Sequence, residues 1–127
     1  MAELKPQIRL ELPDEIGKLA ELTEALRDAG VNILTLAAWV ADGTGHMHLL
    51  PDDAGIAQDV LRGRVVRLDS KDVVTVTLTN EPGALNAPAA TLAKAGIAIH
   101  HVHATTSGAT ALVVLDTSDN AKAASLL

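Results

Sequence analysis

The sequence predicts an α+β fold, a ferredoxin-like βαββαβ sandwich made twice in tandem. The two repeats form one continuous, largely antiparallel sheet with the helices on one face. Two observations predict it. The chain matches itself at an offset of 66 residues, so that Ile8–Leu36 lies on Val74–Val102 without a gap. Within each copy, apolar residues recur with period 2, then with helical period, then with period 2 again. At that offset Leu12, Glu15, Gly17, Leu19, Leu26, Ala29, Gly30 and Ile33 meet identical residues, and so do Ala57 and Leu61.

The elements follow in order. Ile8, Leu10 and Leu12 alternate with Arg9 and Glu11, and Val74, Val76 and Leu78 alternate with threonines, each a half-buried first strand. Polar turns come next, Asp14-Glu15-Ile16-Gly17 and Asn80-Glu81-Pro82-Gly83. Leu19, Leu22, Ala25, Leu26 and Ala29 then mark a helix stopped by Gly30; its twin carries Leu85, Ala89, Leu92 and Ala95 and stops at Gly96. Pro88 falls near that helix's first turn, where proline is tolerated. Second strands run over 31–40 and 97–104, and Gly43-Thr44-Gly45 and Ser107-Gly108 mark hairpin turns. Third strands (46–50 and 110–115) lead to short helices over 54–61 and 120–127.

Only the first copy continues, with 64–68 as a fourth strand, which sets domains at 1–68 and 73–127. Four polar residues, Asp69–Asp72, suit a hairpin loop. Val65–Leu68 is therefore expected to pair antiparallel with Val73–Thr79 and to complete the second domain's sheet.

Composition excludes several functions. Apolar residues are 48% of 127, but aromatics are 1%, and Trp39 is the sole one. A net charge of −6 without any run of Lys or Arg argues against nucleic acid as a partner. No cysteine is present, which removes disulfides, thiol catalysis and Cys-ligated zinc. The longest apolar stretch, Val31 to Ala41, is interrupted by Asn32 and Thr35 and is too short for a membrane span. The first residues lack a signal-peptide hydrophobic region, so a cytoplasmic protein is expected. No nucleophile-elbow, zinc-protease or phosphate-loop motif occurs, and Asp52-Asp53 is explained by helix capping. Neither catalysis nor a cofactor is expected.

The pattern strand–(Asp/Asn)-x-Pro-Gly-x-Leu–helix–Gly-(Val/Ile)-Asn-Ile–strand resembles the ACT domain, a regulatory ligand-binding module. Here it reads Asn80-Glu81-Pro82-Gly83-Ala84-Leu85 in the second copy. The first copy has Asp14-Glu15-Ile16-Gly17-Lys18-Leu19, followed by Gly30-Val31-Asn32-Ile33. The resemblance spans nearly the whole chain and is greatest to small stand-alone tandem proteins without a catalytic domain. Ile16 departs from the usual proline, and Ala98 stands where the first copy has Asn32. The resemblance implies domains paired side by side through their second strands. It also implies ligands held between the first turn of one domain and the second strand of its neighbour, with an amino acid as ligand, a homodimer and a regulated enzyme as partners.

The candidate ligand residues are accordingly Asp14 through Leu19 with Asn32, and Asn80 through Leu85 with Ala98. Glycine at a helix start lets backbone approach a ligand closely, and the first helical amides lack internal partners and attract a carboxylate. Asn32 can offer its side-chain carbonyl to an ammonium group, and Asp14 can add charge. The alternative is that Asp14 and Asn80 are helix N-caps. His100, after Ile99 on the second strand, is a further candidate for the cleft.

The other histidines form two pairs, His46-x-His48 and His101-x-His103, each on one face of a strand. Brought together, they are candidate ligands for zinc, nickel or copper. Otherwise they form a polar sheet face or a pH-sensitive interface. The function expected is amino-acid-responsive regulation without catalysis; a His-based metal carrier and a pure docking subunit are the alternatives. Self-association is expected to cover the sheet face that bears Thr75, Thr77 and the histidines.

Overall fold

The computed structural model describes residues 2–127, so Met1, the expected start of the first domain, lies outside the described residues. The elements are β1 (Ala2–Pro13), α1 (Lys18–Asp28), β2 (Ile33–Ala41), β3 (Thr44–Pro51), α2 (Ala54–Leu61), β4 (Arg67–Thr79), α3 (Asn86–Lys94), β5 (Ile99–Ser107), β6 (Thr110–Thr117) and α4 (Asn120–Leu126). Six strands, hydrogen-bonded in the order β2-β3-β1-β4-β6-β5, and four helices make the expected α+β, ferredoxin-like tandem.

The chain divides into two compact units, a first of Pro6–Lys71 and a second of residues 2–5 with Asp72–Leu127. In the first unit, Ile8, Leu10 and Leu12 of β1 and Met47 and Leu49 of β3 pack against Leu22 and Leu26 of α1 and Ala57 and Leu61 of α2. The period-2 pattern of the strands and the four-residue spacing within each helix therefore meet on one face. In the second unit Val74, Val76, Val113 and Leu115 play the strand part, Leu92 and Ala123 the helix part.

The duplication extends to fine detail. Each second strand carries an irregularity in its pairing, between Ile33 and Thr35 in β2 and between Ile99 and His101 in β5. The two skipped residues, Leu34 and His100, are equivalent at the 66-residue offset. Asp53 caps α2 by accepting from the Ile56 amide at 3.0 Å, and Asp119 caps α4 by accepting from the Lys122 amide at 3.0 Å.

The hairpin expected between Val65–Leu68 and Val73–Thr79 does not form. Residues 67–79 are one strand, with Asp69–Asp72 inside it and not in a loop. The Val66 amide donates to the Glu11 carbonyl at 2.8 Å and Arg9 Nε to Asp69 Oδ1 at 2.8 Å, so this segment lies beside β1 of its own copy. The strand missing from the second copy comes from the opposite end of the chain. Thr75 Oγ1 donates to the Glu3 carbonyl at 3.4 Å, and Ala2 packs on the second core. Polar residues at 69–72 read as a loop because a strand with solvated side chains lacks the apolar alternation that marks a half-buried one.

The face turned away from the helices is also more covered than expected. Thr75 and Val114 in the second unit, and Gln7 and Leu50 in the first, are all buried, whereas Thr77 is exposed.

Candidate functional site

The β1–α1 turn of the first unit is built around Gly17, whose φ of +86° lies where a Cβ is disfavoured. Gly17 is also the N-cap residue of α1, and no side chain caps that helix. Asp14 is thus not the cap that local sequence suggests. Its neighbour Glu15 closes the turn instead, accepting the Lys18 amide at 3.2 Å.

Beside this turn lies a cleft of about 210 Å3. Leu12, Leu19, Trp39, Val40 and Met47 give it apolar walls, and Asp14, Glu15, Lys18 and His46 are its polar lining. Ala38 and Gly45 also border it, and their lack of bulk leaves the space. A Cβ at Gly45 would meet the Leu12 carbonyl at 3.0 Å, so the close pairing of β1 and β3 here needs glycine. The Lys18 side chain is 15% exposed, and its ammonium is 2.7 Å from Glu21 Oε2. The hydrogen bond and charge of Lys18 hold the Glu21 carboxyl below its usual pKa. Ile16 and Gly17 border an adjacent shallow depression with Glu21.

The second turn repeats the backbone but not the chemistry. Gly83 has φ +82°, and α3 starts only at Asn86, with Leu85 as an N-cap residue that makes no side-chain bond. Asn80 does not cap α3 either. Its Nδ2 donates to the Gly108 carbonyl at 3.0 Å and its amide to the Ala109 carbonyl at 2.9 Å, which ties the turn to the β5–β6 hairpin. Lys18 is replaced by Ala84, and Glu81 accepts the Ala84 amide at 3.1 Å. Pro82 takes the place of the exposed Ile16.

Asn32 does not join the first turn within its unit. Pro13 pairs with Thr44 and Thr44 with Ala41, whereas Ile33 pairs with Pro51. Asn32 therefore sits at the far end of β2, roughly 20 Å of strand from Ala38. There its amide donates to Asp52 Oδ1 at 3.0 Å and its carbonyl accepts the Asp52 amide. Ala98 repeats the exchange with Ser118, at 2.9 Å in both directions. In both cases backbone atoms do the binding, which is why alanine can replace asparagine. His100 is the skipped residue of the β5 irregularity and is exposed.

The histidine pairs stand as the alternation predicts, His46 and His48 on the strand face opposite Met47 and Leu49, and His101 and His103 on the face opposite Val102. In the first unit Trp39 stacks on His46 (5.5 Å between ring centroids, 16° between planes) and meets His48 edge-on at 4.9 Å. In the second, His101 and His103 meet edge-on at 5.5 Å. Burial, and then the charge of His101, lower the pKa of His103. Among the described residues no group of three or more His, Asp or Glu could hold a metal ion. No described helix is long and apolar enough to cross a membrane.

Residues 6–127 match the family model described as an ACT domain pair. Among solved structures, protein BT0572 from Bacteroides thetaiotaomicron is 25% identical with a TM-score of 0.91, over 99% of this chain and 88% of that one. The regulatory subunit of aspartate kinase from Thermus thermophilus, in its ligand-free form, is 18% identical with a TM-score of 0.75, over 99% and 94%. The corresponding subunit from Thermus flavus is 19% identical with a TM-score of 0.71, over 99% and 90%. A search of curated proteins finds no match.

Proposed function

The chain belongs to the ACT domain pair family, and we propose that it is a non-catalytic, cytoplasmic regulatory protein that binds an amino acid at the β1–α1 turn of its first unit. The observation that carries this reading is the cleft beside the β1–α1 turn, lined by Lys18 and Asp14 together with the apolar residues Leu12, Val40, Met47 and Trp39. A ligand carboxylate there meets Lys18 and the unpaired amides of the first turn of α1. A ligand ammonium meets Asp14, and an aliphatic side chain meets Leu12, Val40 and Met47. The second turn, without a lysine and tied down by Asn80, contributes less.

The partners we propose are a second copy of the chain and a regulated enzyme, the latter because two structural relatives are regulatory subunits of aspartate kinase. β2 is the edge strand of the first unit, nine residues without a charge, and exposes Leu34, Trp39 and Val40. Such an edge is a template for strand pairing between copies. Ligand control of assembly requires different affinities for the two states.

A thermal-shift screen against all twenty amino acids tests the reading. One amino acid should raise Tm by several degrees, corresponding to about 2.7 kcal/mol at a hundredfold excess over Kd. Lys18→Ala should abolish the shift while leaving the unliganded Tm nearly unchanged. No stabilisation by any amino acid would remove the proposal.

A further inference from the structure

The cleft at the β1–α1 turn is lined by residues that the second copy does not keep. At the 66-residue offset Asp14 corresponds to Asn80, Lys18 to Ala84, Val40 to Thr106 and Gly45 to Ala111, whereas Leu12 and Leu19 recur as Leu78 and Leu85. Relative to the second copy, the first gains one charge of each sign, loses a methyl group beside Leu12 and has a methyl in place of a hydroxyl. Valine and threonine are isosteric, so the exchange at Val40 alters the chemistry of the wall and not its shape. Val40 is 56% exposed, and an apolar side chain there gains by burial only when something apolar covers it.

Charge on the lining selects first. One of the three N–H groups of Lys18 serves Glu21 at 2.7 Å, which leaves two for a ligand carboxylate. Asp14 and Glu15 border the same space and suit a ligand ammonium. A zwitterion is matched at both ends. A second ammonium on the ligand would meet the charge of Lys18, and a second carboxylate would meet those of Asp14 and Glu15, so a charged side chain of either sign is repelled.

Size and polarity select next. A dry aliphatic cavity of about 150 Å3 holds benzene. The cleft's volume of about 210 Å3 corresponds in proportion to roughly eight heavy atoms, the size of valine, leucine or isoleucine. Phenylalanine and tryptophan are larger than the space. Methionine matches it in volume but gives up more rotamer freedom on burial than a branched side chain does. Threonine matches it in shape, but Leu12, Val40 and Met47 offer its hydroxyl no partner.

We propose, on the reading that this cleft is an amino-acid site, that it recognises a branched-chain aliphatic amino acid. Val40 is the residue that sets the preference for an apolar over a hydroxylic side chain.

Calorimetry on the full chain with valine, leucine, isoleucine, methionine, threonine, phenylalanine, lysine and glutamate measures the selectivity. A branched-chain amino acid should bind tightest, and threonine about a hundredfold more weakly than valine. Val40→Thr, which installs the residue of the other copy, should reduce that ratio about tenfold. Threonine suits a strand and the position is half-exposed, so the unliganded variant should keep the wild-type melting curve. Val66→Thr, at an exposed valine outside the cleft, should leave the ratio unchanged. A preference for a charged, aromatic, hydroxylic or unbranched amino acid, abolished by Lys18→Ala, would overturn the proposed class and leave the amino-acid reading intact. An unchanged ratio in Val40→Thr would overturn the role of Val40. Absence of binding by every amino acid would remove the reading and the proposed class with it.

Discussion

The Thr75 hydroxyl donates to the backbone carbonyl of Glu3 at 3.4 Å, between residues 72 positions apart. Residues 2–5 are thus the strand that flanks 73–76 within the second unit. Deleting residues 1–5 should strip the 73–76 segment of its β1 partner and remove Ala2 from the core it touches. Losing a few ladder bonds at roughly 1 kcal/mol each should cost about 2–4 kcal/mol. Hydrogen exchange should show faster exchange at 73–76 and unchanged protection at 8–12. Uniform protection in the deletion variant would contradict this role.

That relationship marks what the sequence could and could not disclose. The duplication was legible because glycines, core leucines and capping aspartates recur at one offset, and each imposes local geometry. The turn at Gly17 was legible for the same reason. The partner of 73–79 was not, because 2–5 and 65–68 are equally plausible by local pattern and only tertiary pairing distinguishes them. Asn32 was named because the motif includes it; the strand register separates it from the first turn of its own unit, so a role at a ligand would have to be played toward the turn of a neighbouring domain.

The capping pairs predict a symmetric pattern of losses. Asp53→Ala and Asp119→Ala each remove an acceptor from a first-turn amide, and each should cost about 1 kcal/mol in urea unfolding. Asp14→Ala and Asn80→Ala should differ from each other. Asp14 caps nothing and should have a small effect on stability. Asn80→Ala loses the bond to the Gly108 carbonyl and should cost about 1 kcal/mol.

Lys18 and Glu21 predict a titration coupled to the candidate site. The Lys18 ammonium at 2.7 Å lowers the pKa of Glu21, so this pair's contribution is present above the usual value of 4.5 and is lost as pH falls through the depressed one. Lys18→Ala should bring the Glu21 pKa, followed by carboxyl NMR shifts, back up toward 4.5. An unchanged Glu21 pKa in that variant would mean the two side chains do not hold this geometry in solution.

His103 predicts a second pH dependence, of the same sign at higher pH. The imidazole is half-buried and neither ring nitrogen makes a hydrogen bond among the described residues, so protonation is costly; burial first, and the charge of His101 second, lower its pKa from 6.5. A histidine whose folded pKa is depressed is neutral in both states at high pH and carries no penalty there. As pH falls below about 6.5 the unfolded chain takes up the proton first, and stability declines until the folded pKa is also passed. His103→Leu should therefore flatten the decline of Tm between neutral and mildly acid pH. His101→Leu should recover only part of it, because the neighbouring charge is the smaller of the two causes. If both variants recover equally, the charge of His101 and not burial governs the group, and the packing around His103 is looser than its burial indicates.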